Sequence, residues 1–215
     1  MKLEAVIFDL DGVLVHTDRF HYLAWKQLAD EEGIPFDESI NHFLRGVSRL
    51  ESLEIIIKPS KRLYTDEEKW KLAERKNDYY RTFLNQLTPA DTAQDTVVTL
   101  STLKAKGIKI GIGSSSKNAQ YILERIGLSK AFDAVVTGMD IVNGKPDPEV
   151  FKTAAERLRV PYESCLVVED AEAGMIAAKR ASMYAAAIGA GLDSEHADYH
   201  LNDLTELITI ISHYE

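Results

Sequence analysis

Two aspartates, Asp9 and Asp11, stand two residues apart directly after the apolar run Ala5-Val6-Ile7-Phe8. A carboxylate can attack phosphorus and carry the transferred group as an acyl phosphate. A second acid beside it can protonate a leaving oxygen and then deprotonate the next acceptor. Two anions repel, so such an attack needs cations, and distant parts of the chain offer them. Ser114-Ser115-Ser116-Lys117-Asn118 comes after a second apolar run, Gly144-Lys145-Pro146 lies beyond a third, and Glu169-Asp170 closes a fourth. Asp9 and Asp170 can offer carboxylates to Mg²⁺, which takes hard oxygen ligands and only a few of them from protein. Glu169 is a further ligand or a support behind the ligands. Ser114 can present its hydroxyl and backbone N–H to phosphate oxygens, and a helix expected to begin near Ser116 adds its positive dipole end. Lys145 offers a point charge to the negative charge that develops during transfer. Alone, Asp-x-Asp-Gly reads as a turn after a strand, and Glu169-Asp170 as a helix cap. The four segments together read as one site for a metal and a phosphate.

Those segments must converge, and the pattern of elements says how. The runs Ala5–Phe8, Ile108–Ile112, Ala134–Val136 and Cys165–Val168, with Ala185–Ile188 as a weaker fifth, are apolar apart from Lys109. Continuous apolarity suits parallel strands covered on both faces, and helical patterns lie between the runs. One helix carries Val150, Phe151, Ala154, Ala155 and Leu158 at helical spacing, and Gly107 and Gly127 are placed to close two others. The expected fold is α/β, a Rossmann-like doubly wound parallel-sheet core, in which ligands bind outside the carboxyl ends of the strands.

The stretch between the first two strands is too long for an ordinary crossover. It reads as almost wholly helical, with Phe20, Leu23, Ala24 and Leu28 in one stripe, Gly33 as a stop, and capping boxes at Ser48-x-x-Glu51 and Thr65-x-x-Glu68. An α-helical cap domain over residues 16–87 is therefore expected, inserted into a core of 1–15 and 88–215. Two linkers, near 14–17 and 85–89, would let it move as a unit.

The ordered set Asp9-Leu10-Asp11-Gly12-Val13, Ser114, Lys145-Pro146-Asp147-Pro148 and Glu169-Asp170 resembles the motifs of the haloacid dehalogenase superfamily over nearly the whole chain. The resemblance implies a covalent aspartyl phosphate on Asp9. It also implies a metal held by Asp9, Glu169, Asp170 and the backbone carbonyl of Asp11, leaving the Asp11 side chain to move protons. The second aspartate marks the phosphatases and phosphomutases of the superfamily. Within it, Thr17, His21, Trp25, Gly46-Val47-Ser48-Arg49, Arg75-Lys76-Asn77 and Ser116-Lys117-Asn118 resemble the substrate-binding pattern of the β-phosphoglucomutase family. That implies a mutase acting on a sugar phosphate through a bisphosphate.

Physical chemistry adds a reason for the second set. A bisphosphate needs a second anion site, and the planar fork of Arg49 suits one, with Ser116, Lys117 and Asn118 completing it. His21 can hold Asp11 or a sugar hydroxyl, and Lys76 can join that network. Against these stand plainer roles: Trp25 as core filler, Lys76 on a solvated face, Cys165 as a buried strand residue. His16, Gly113 and Thr92-Ala93-Gln94-Asp95 depart from the pattern, and His16 falls at the presumed hinge. Two rival functions remain open, a phosphatase of small sugar phosphates and a non-catalytic regulatory protein of the same fold.

Composition bounds the rest. The 215 residues carry a net charge of −9, against non-specific nucleic-acid binding, which needs a basic face. A single cysteine excludes an internal disulfide. The N-terminal residues lack an apolar leader, and no run approaches a membrane span, so a cytoplasmic protein without membrane partners is expected, and a monomer.

Overall fold

β1 (Ala5–Phe8) is four consecutive residues with no exposed surface, the pattern of a central parallel strand. The computed structural model describes residues 2–44, 48–60, 62–92 and 94–214. After β1 the chain enters a helical insertion: α1 (Asp18–Glu32), α2 (Glu38–His42), α3 (Arg49–Ile57) and α4 (Asp66–Leu84). It then returns through α5 (Gln94–Ala105), β2 (Lys109–Gly113), α6 (Ala119–Arg125), β3 (Ala134–Val136), α7 (Glu149–Leu158), β4 (Cys165–Glu169), α8 (Glu172–Arg180), β5 (Tyr184–Ile188), β6 (Tyr199–Leu201) and α9 (Glu206–Ser212). The chain divides into two compact units, residues 1–16 with 87–215, and residues 17–86. Among the described residues no helix is long and apolar enough to cross a membrane.

The first unit is an α/β core. Its six strands form one sheet in the order β3-β2-β1-β4-β5-β6, every neighbouring pair parallel. Successive strands run outward from β1 to β3 on one side and from β4 to β6 on the other. The order therefore reverses between β1 and β4, where open α/β sheets bind ligands. Phe8 is in register with Val168 there, so Asp9 and Glu169 leave the sheet side by side. α7 buries Val150, Phe151, Ala154, Ala155 and Leu158, as their spacing predicts. The glycines of β2 make room for it. A Cβ on Gly113 would lie 2.7 Å from the Phe151 ring, and one on Gly111 3.1 Å from Leu158. Gly113, a departure from the family pattern, is thus explained by the bulk of Phe151.

The second unit builds its own core from Trp25, Leu28, Ala29, Ile34, Phe36, Leu44, Leu53, Ile56, Ile57, Leu72 and Ala73. Its helix ends are chemically marked. Gly33 closes α1 in the left-handed region, at φ 66°. Ser48 and Glu51 cap α3 reciprocally, and Thr65 and Glu68 do the same for α4. Such a cap is worth about 1 kcal/mol. Tyr79 and Arg75 of α4 bond Glu31 and Glu32 of α1, tying the two longest helices along their exposed edge.

Two expectations need correction. The helix expected near Ser116 begins at Ala119, because Ser114 and Ser116 use their hydroxyls to accept the N–H groups of Ser116 and Asn118 in a turn. The sheet also has a sixth strand, β6, which shows no apolar run in sequence because the exposed His200 stands at its centre.

Candidate active site

The core site is assembled at the carboxyl ends of β1, β2 and β4. Asp9, Glu169 and Asp170 each place a carboxylate oxygen within 4.8 Å of the others. The Lys145 ammonium lies between two of them, 2.5 Å from Asp9 Oδ1 and 2.5 Å from Glu169 Oε1, with the Phe151 ring 4.7 Å beneath it. Glu169 Oε2 accepts the backbone N–H groups of Asp170 and Ala171, so both of its oxygens are engaged. Burial opposes the Lys145 charge, but Asp9 and then Glu169 outweigh it and hold the amine protonated, above the usual lysine range. Burial pushes Asp9 upward. Glu169 and Asp11 add to that push, and Lys145 only partly opposes it. The cluster thus has an excess of negative charge in a dry place, which a divalent cation with oxygen preference would relieve.

Backbone shape holds these carboxylates. Gly12 sits at φ +88°, and a Cβ there would lie 2.1 Å from Asp170 Oδ2. A Cβ on Gly174 would meet Glu169 Oε1 at 1.9 Å, and one on Gly191 would meet the Asp170 backbone at 2.8 Å. Sequence reading missed Gly174 and Gly191. A glycine inside a helix, as at Gly174, weakens it by about 1 kcal/mol relative to alanine, and that local cost was the available signal.

Ser114 is buried after β2, and its backbone N–H donates to Val136 on β3 at 3.0 Å. Its hydroxyl accepts from Ser116 N at 3.1 Å, and Ser116 Oγ from Asn118 N at 3.2 Å. Asn118 is buried, while Lys117 and Ser115 are exposed. This is a tight polar turn at a strand end, with hydroxyls and an exposed lysine head suited to an anion.

The helical unit gathers a second polar set. Lys76 is only 3 % exposed. Its ammonium nitrogen lies 2.9 Å from His21 Nδ1 and over the rings of Trp25 and Tyr80, at 4.7 and 4.9 Å. Tyr80 donates to Thr17 Oγ1 at 3.1 Å and lies against His21, ring centroids 4.0 Å apart. Burial, then Arg49, lowers Lys76 to about 7. Burial, then Lys76 and Arg49, hold His21 well below its usual range. Arg49 is the first residue of α3, positioned by the Ser48 cap. It donates to Glu74 Oε1 at 2.7 Å and to Asn77 Oδ1 at 2.9 Å. Trp25 is buried in the core of this unit and supports Lys76, and Tyr80, not singled out from sequence, presents a second ring to the ammonium. Gly46 and Val47, expected at this site, lie outside the described residues, as do Arg45 and Ala93.

Comparison with known proteins bears on this geometry. A family model described as haloacid dehalogenase-like hydrolase matches residues 3–182. A β-phosphoglucomutase of Bacillus subtilis is 42 % identical over 215 residues, 99 % of this chain and 95 % of that one. A phosphorylated carbohydrates phosphatase of Thermotoga maritima is 33 % identical over 84 % of this chain and 82 % of its own. Among solved structures, a β-phosphoglucomutase of Clostridium difficile superposes with a TM-score of 0.89 at 37 % identity, covering 99 % of this chain and 97 % of that one.

Proposed function

We propose, since the chain belongs to the haloacid dehalogenase-like hydrolase family, that it is a phosphomutase interconverting β-glucose 1-phosphate and glucose 6-phosphate. The observation that carries the reading is the second cluster of basic side chains. A hydrolase of monophosphates needs one anion site, whereas a bisphosphate intermediate needs two, and Arg49 with Lys76 and His21 supplies a candidate outside the acidic cluster. The B. subtilis relative supports the same reading at 42 % identity.

Asp9 is the proposed nucleophile. Its carboxylate oxygen forms a bond to phosphorus as the bond from phosphorus to the sugar oxygen breaks, and Asp11 gives a proton to that oxygen. In the return step a sugar hydroxyl attacks phospho-Asp9 and Asp11 takes the hydroxyl proton. Phospho-Asp9 thereby converts β-glucose 1-phosphate to the 1,6-bisphosphate. After the bisphosphate turns around, its C1 phosphoryl group returns to Asp9 and glucose 6-phosphate leaves. Mg²⁺ held by Asp9, Asp170 and the Asp11 carbonyl would offset the repulsion between carboxylate and phosphate. Glu169, with both oxygens engaged, orients Lys145 and the Asp170 backbone. Lys145 and Ser114 bind the oxygens of the group in flight. Arg49, with Lys76 and His21, holds the phosphate that is not reacting; His21 and Lys76 also reach sugar hydroxyls, and Thr17 and Ser48 serve sugar recognition. Ser116, Lys117 and Asn118 contribute further anion contacts from the core.

A phosphatase is the second reading, favoured by the T. maritima relative and by a core cluster that would serve water as well as a sugar hydroxyl. A coupled assay separates them. β-Glucose 1-phosphate with Mg²⁺ and a trace of the bisphosphate is expected to give glucose 6-phosphate. Free phosphate without glucose 6-phosphate would overturn the mutase reading.

A further inference from the structure

Basic side chains from three helices gather in the helical unit: Lys76 of α4 lies 2.9 Å from His21 of α1, and Arg49 of α3 reaches Asn77, the neighbour of Lys76 in sequence, at 2.9 Å. Among the described residues only Arg49 of the three is paired with a carboxylate, Glu74, and that pairing is half open to solvent. Lys76 contacts an imidazole nitrogen and two aromatic faces. Most other acids of these helices are engaged elsewhere. Glu31 and Glu32 bond Tyr79 and Arg75, Asp30 pairs with Lys26, Glu54 with Lys69, Glu67 with Lys71 and Glu68 with Arg62, and Glu51 caps α3. The titratable and charged groups facing Lys76 are thus His21 from α1, Arg49 from α3 and Tyr80 on its own helix. No carboxylate among the described residues exerts a resolved pull on Lys76 or His21.

A buried amine without an anion holds its proton weakly, since burial and a neighbouring cation both disfavour the charged form. An anion delivered to Arg49 changes that balance. It brings toward Lys76 and His21 a negative charge that neither receives from a carboxylate ion pair among the described residues. By linkage, an anion that strengthens proton binding is itself bound more tightly by the protonated form. We propose that capture of a dianionic phosphate group at the Arg49–Lys76–His21 cluster is coupled to uptake of a proton from solvent, with Lys76 as its acceptor. The cluster is then a site whose charge is completed by its ligand and whose affinity depends on pH. This rests on the anion-holding role proposed for Arg49, and goes beyond it in naming what regulates that role.

The test uses sulfate, a dianion that does not titrate between pH 6 and 9, with the whole protein in the absence of Mg²⁺. Binding is measured from pH 6 to 9, and the Lys76 amine is followed by NMR of ¹³C-labelled lysine. Sulfate affinity is expected to fall with rising pH above neutrality, by up to about tenfold per pH unit, the limit for one proton. Saturating sulfate is expected to raise the Lys76 midpoint by about one pH unit or more. Lys76→Met is expected to bind sulfate weakly at every pH, and Lys76→Arg tightly at every pH. Arg49→Ala is expected to lose the pH-dependent binding. The proposal is overturned by wild-type sulfate affinity that does not vary with pH, by a Lys76 midpoint that sulfate leaves in place, or by pH-dependent binding indifferent to Arg49. None of these readouts involves turnover. A protein that releases free phosphate in the coupled assay yet takes up a proton with sulfate would lose the mutase reading and keep this one.

Discussion

Lys145 of the core and Lys76 of the helical unit are both buried lysines, and their surroundings drive them in opposite directions. Lys145 lies between Asp9 and Glu169, each 2.5 Å away, and keeps its proton more tightly than a free lysine. Lys76 lies on Trp25 and Tyr80 beside a histidine and an arginine, and falls to about 7. The first is an ion pair that holds the carboxylates of Asp9 and Glu169 in place. The second is an incomplete site that burdens the fold until an anion arrives. Burial alone does not decide the state of a lysine; the sign of the nearest charges does.

The largest effect expected is at the residue the core pairing exists to hold. Asp9→Asn removes the proposed nucleophile and is expected to abolish turnover, measurable as loss of glucose 6-phosphate formation. It also removes one carboxylate from a crowded acidic cluster, so stability to urea is expected to hold or rise. A marked loss of stability would show that the Lys145–Asp9 pair, and not the cluster's repulsion, dominates. Lys145→Met leaves Glu169 and Asp9 buried without their cation. A loss of about 3–5 kcal/mol in unfolding free energy is expected, with a fall of kcat of about 10³-fold. Unchanged stability would break the contrast with Lys76. Arg49→Ala is expected to lower mutase kcat/KM about 10–100-fold, the worth of a charge-assisted phosphate contact, and hydrolysis of a simple phosphate ester much less. Equal losses in both assays would remove Arg49 from the non-reacting phosphate.

The smallest effect has the opposite sign. Lys76 has its folded pKa depressed to about 7 from an ordinary value of 10.5. Between those values the unfolded chain binds more protons, so stability rises with pH across that window. Below about pH 7 the full penalty of burying the charge is present. Lys76→Met is therefore expected to stabilise the protein by about 2 kcal/mol at pH 6, after allowance for lost ring contacts, with the gain fading by pH 10. Urea denaturation at the two pH values checks this, and destabilisation at pH 6 would contradict the assignment.

Much of the core was legible because its chemistry is placed by strand ends. Ala5–Phe8 and Cys165–Val168 announce buried strands by unbroken apolarity, and the residues next after each run fall at the site by the geometry of a parallel sheet. The capping boxes at Ser48 and Thr65 were equally readable, since a cap is a local pattern of three residues' reach. What escaped depends on contacts that sequence separation hides. Gly174 looks like a weakness in α8 until the Glu169 carboxylate is found against its Cα. The partners of Arg49 lie 25 and 28 residues away, and the His21–Lys76 contact spans 55. Tyr80 carried a usable signal, standing one helical turn from Lys76, but the turn could as well have faced solvent. The Ser116 turn misled because serine hydroxyls satisfied the backbone in place of a helix.

The central claim is that a sugar hydroxyl, not water, takes the phosphoryl group from Asp9. It is tested most directly by phosphorylating the enzyme with a labelled phosphoryl donor, mixing it with β-glucose 1-phosphate and quenching within a single turnover. The account predicts label chiefly in β-glucose 1,6-bisphosphate, then in glucose 6-phosphate, and none on an Asp9→Asn variant. Label appearing as free phosphate at the same rate with and without the sugar phosphate would contradict it.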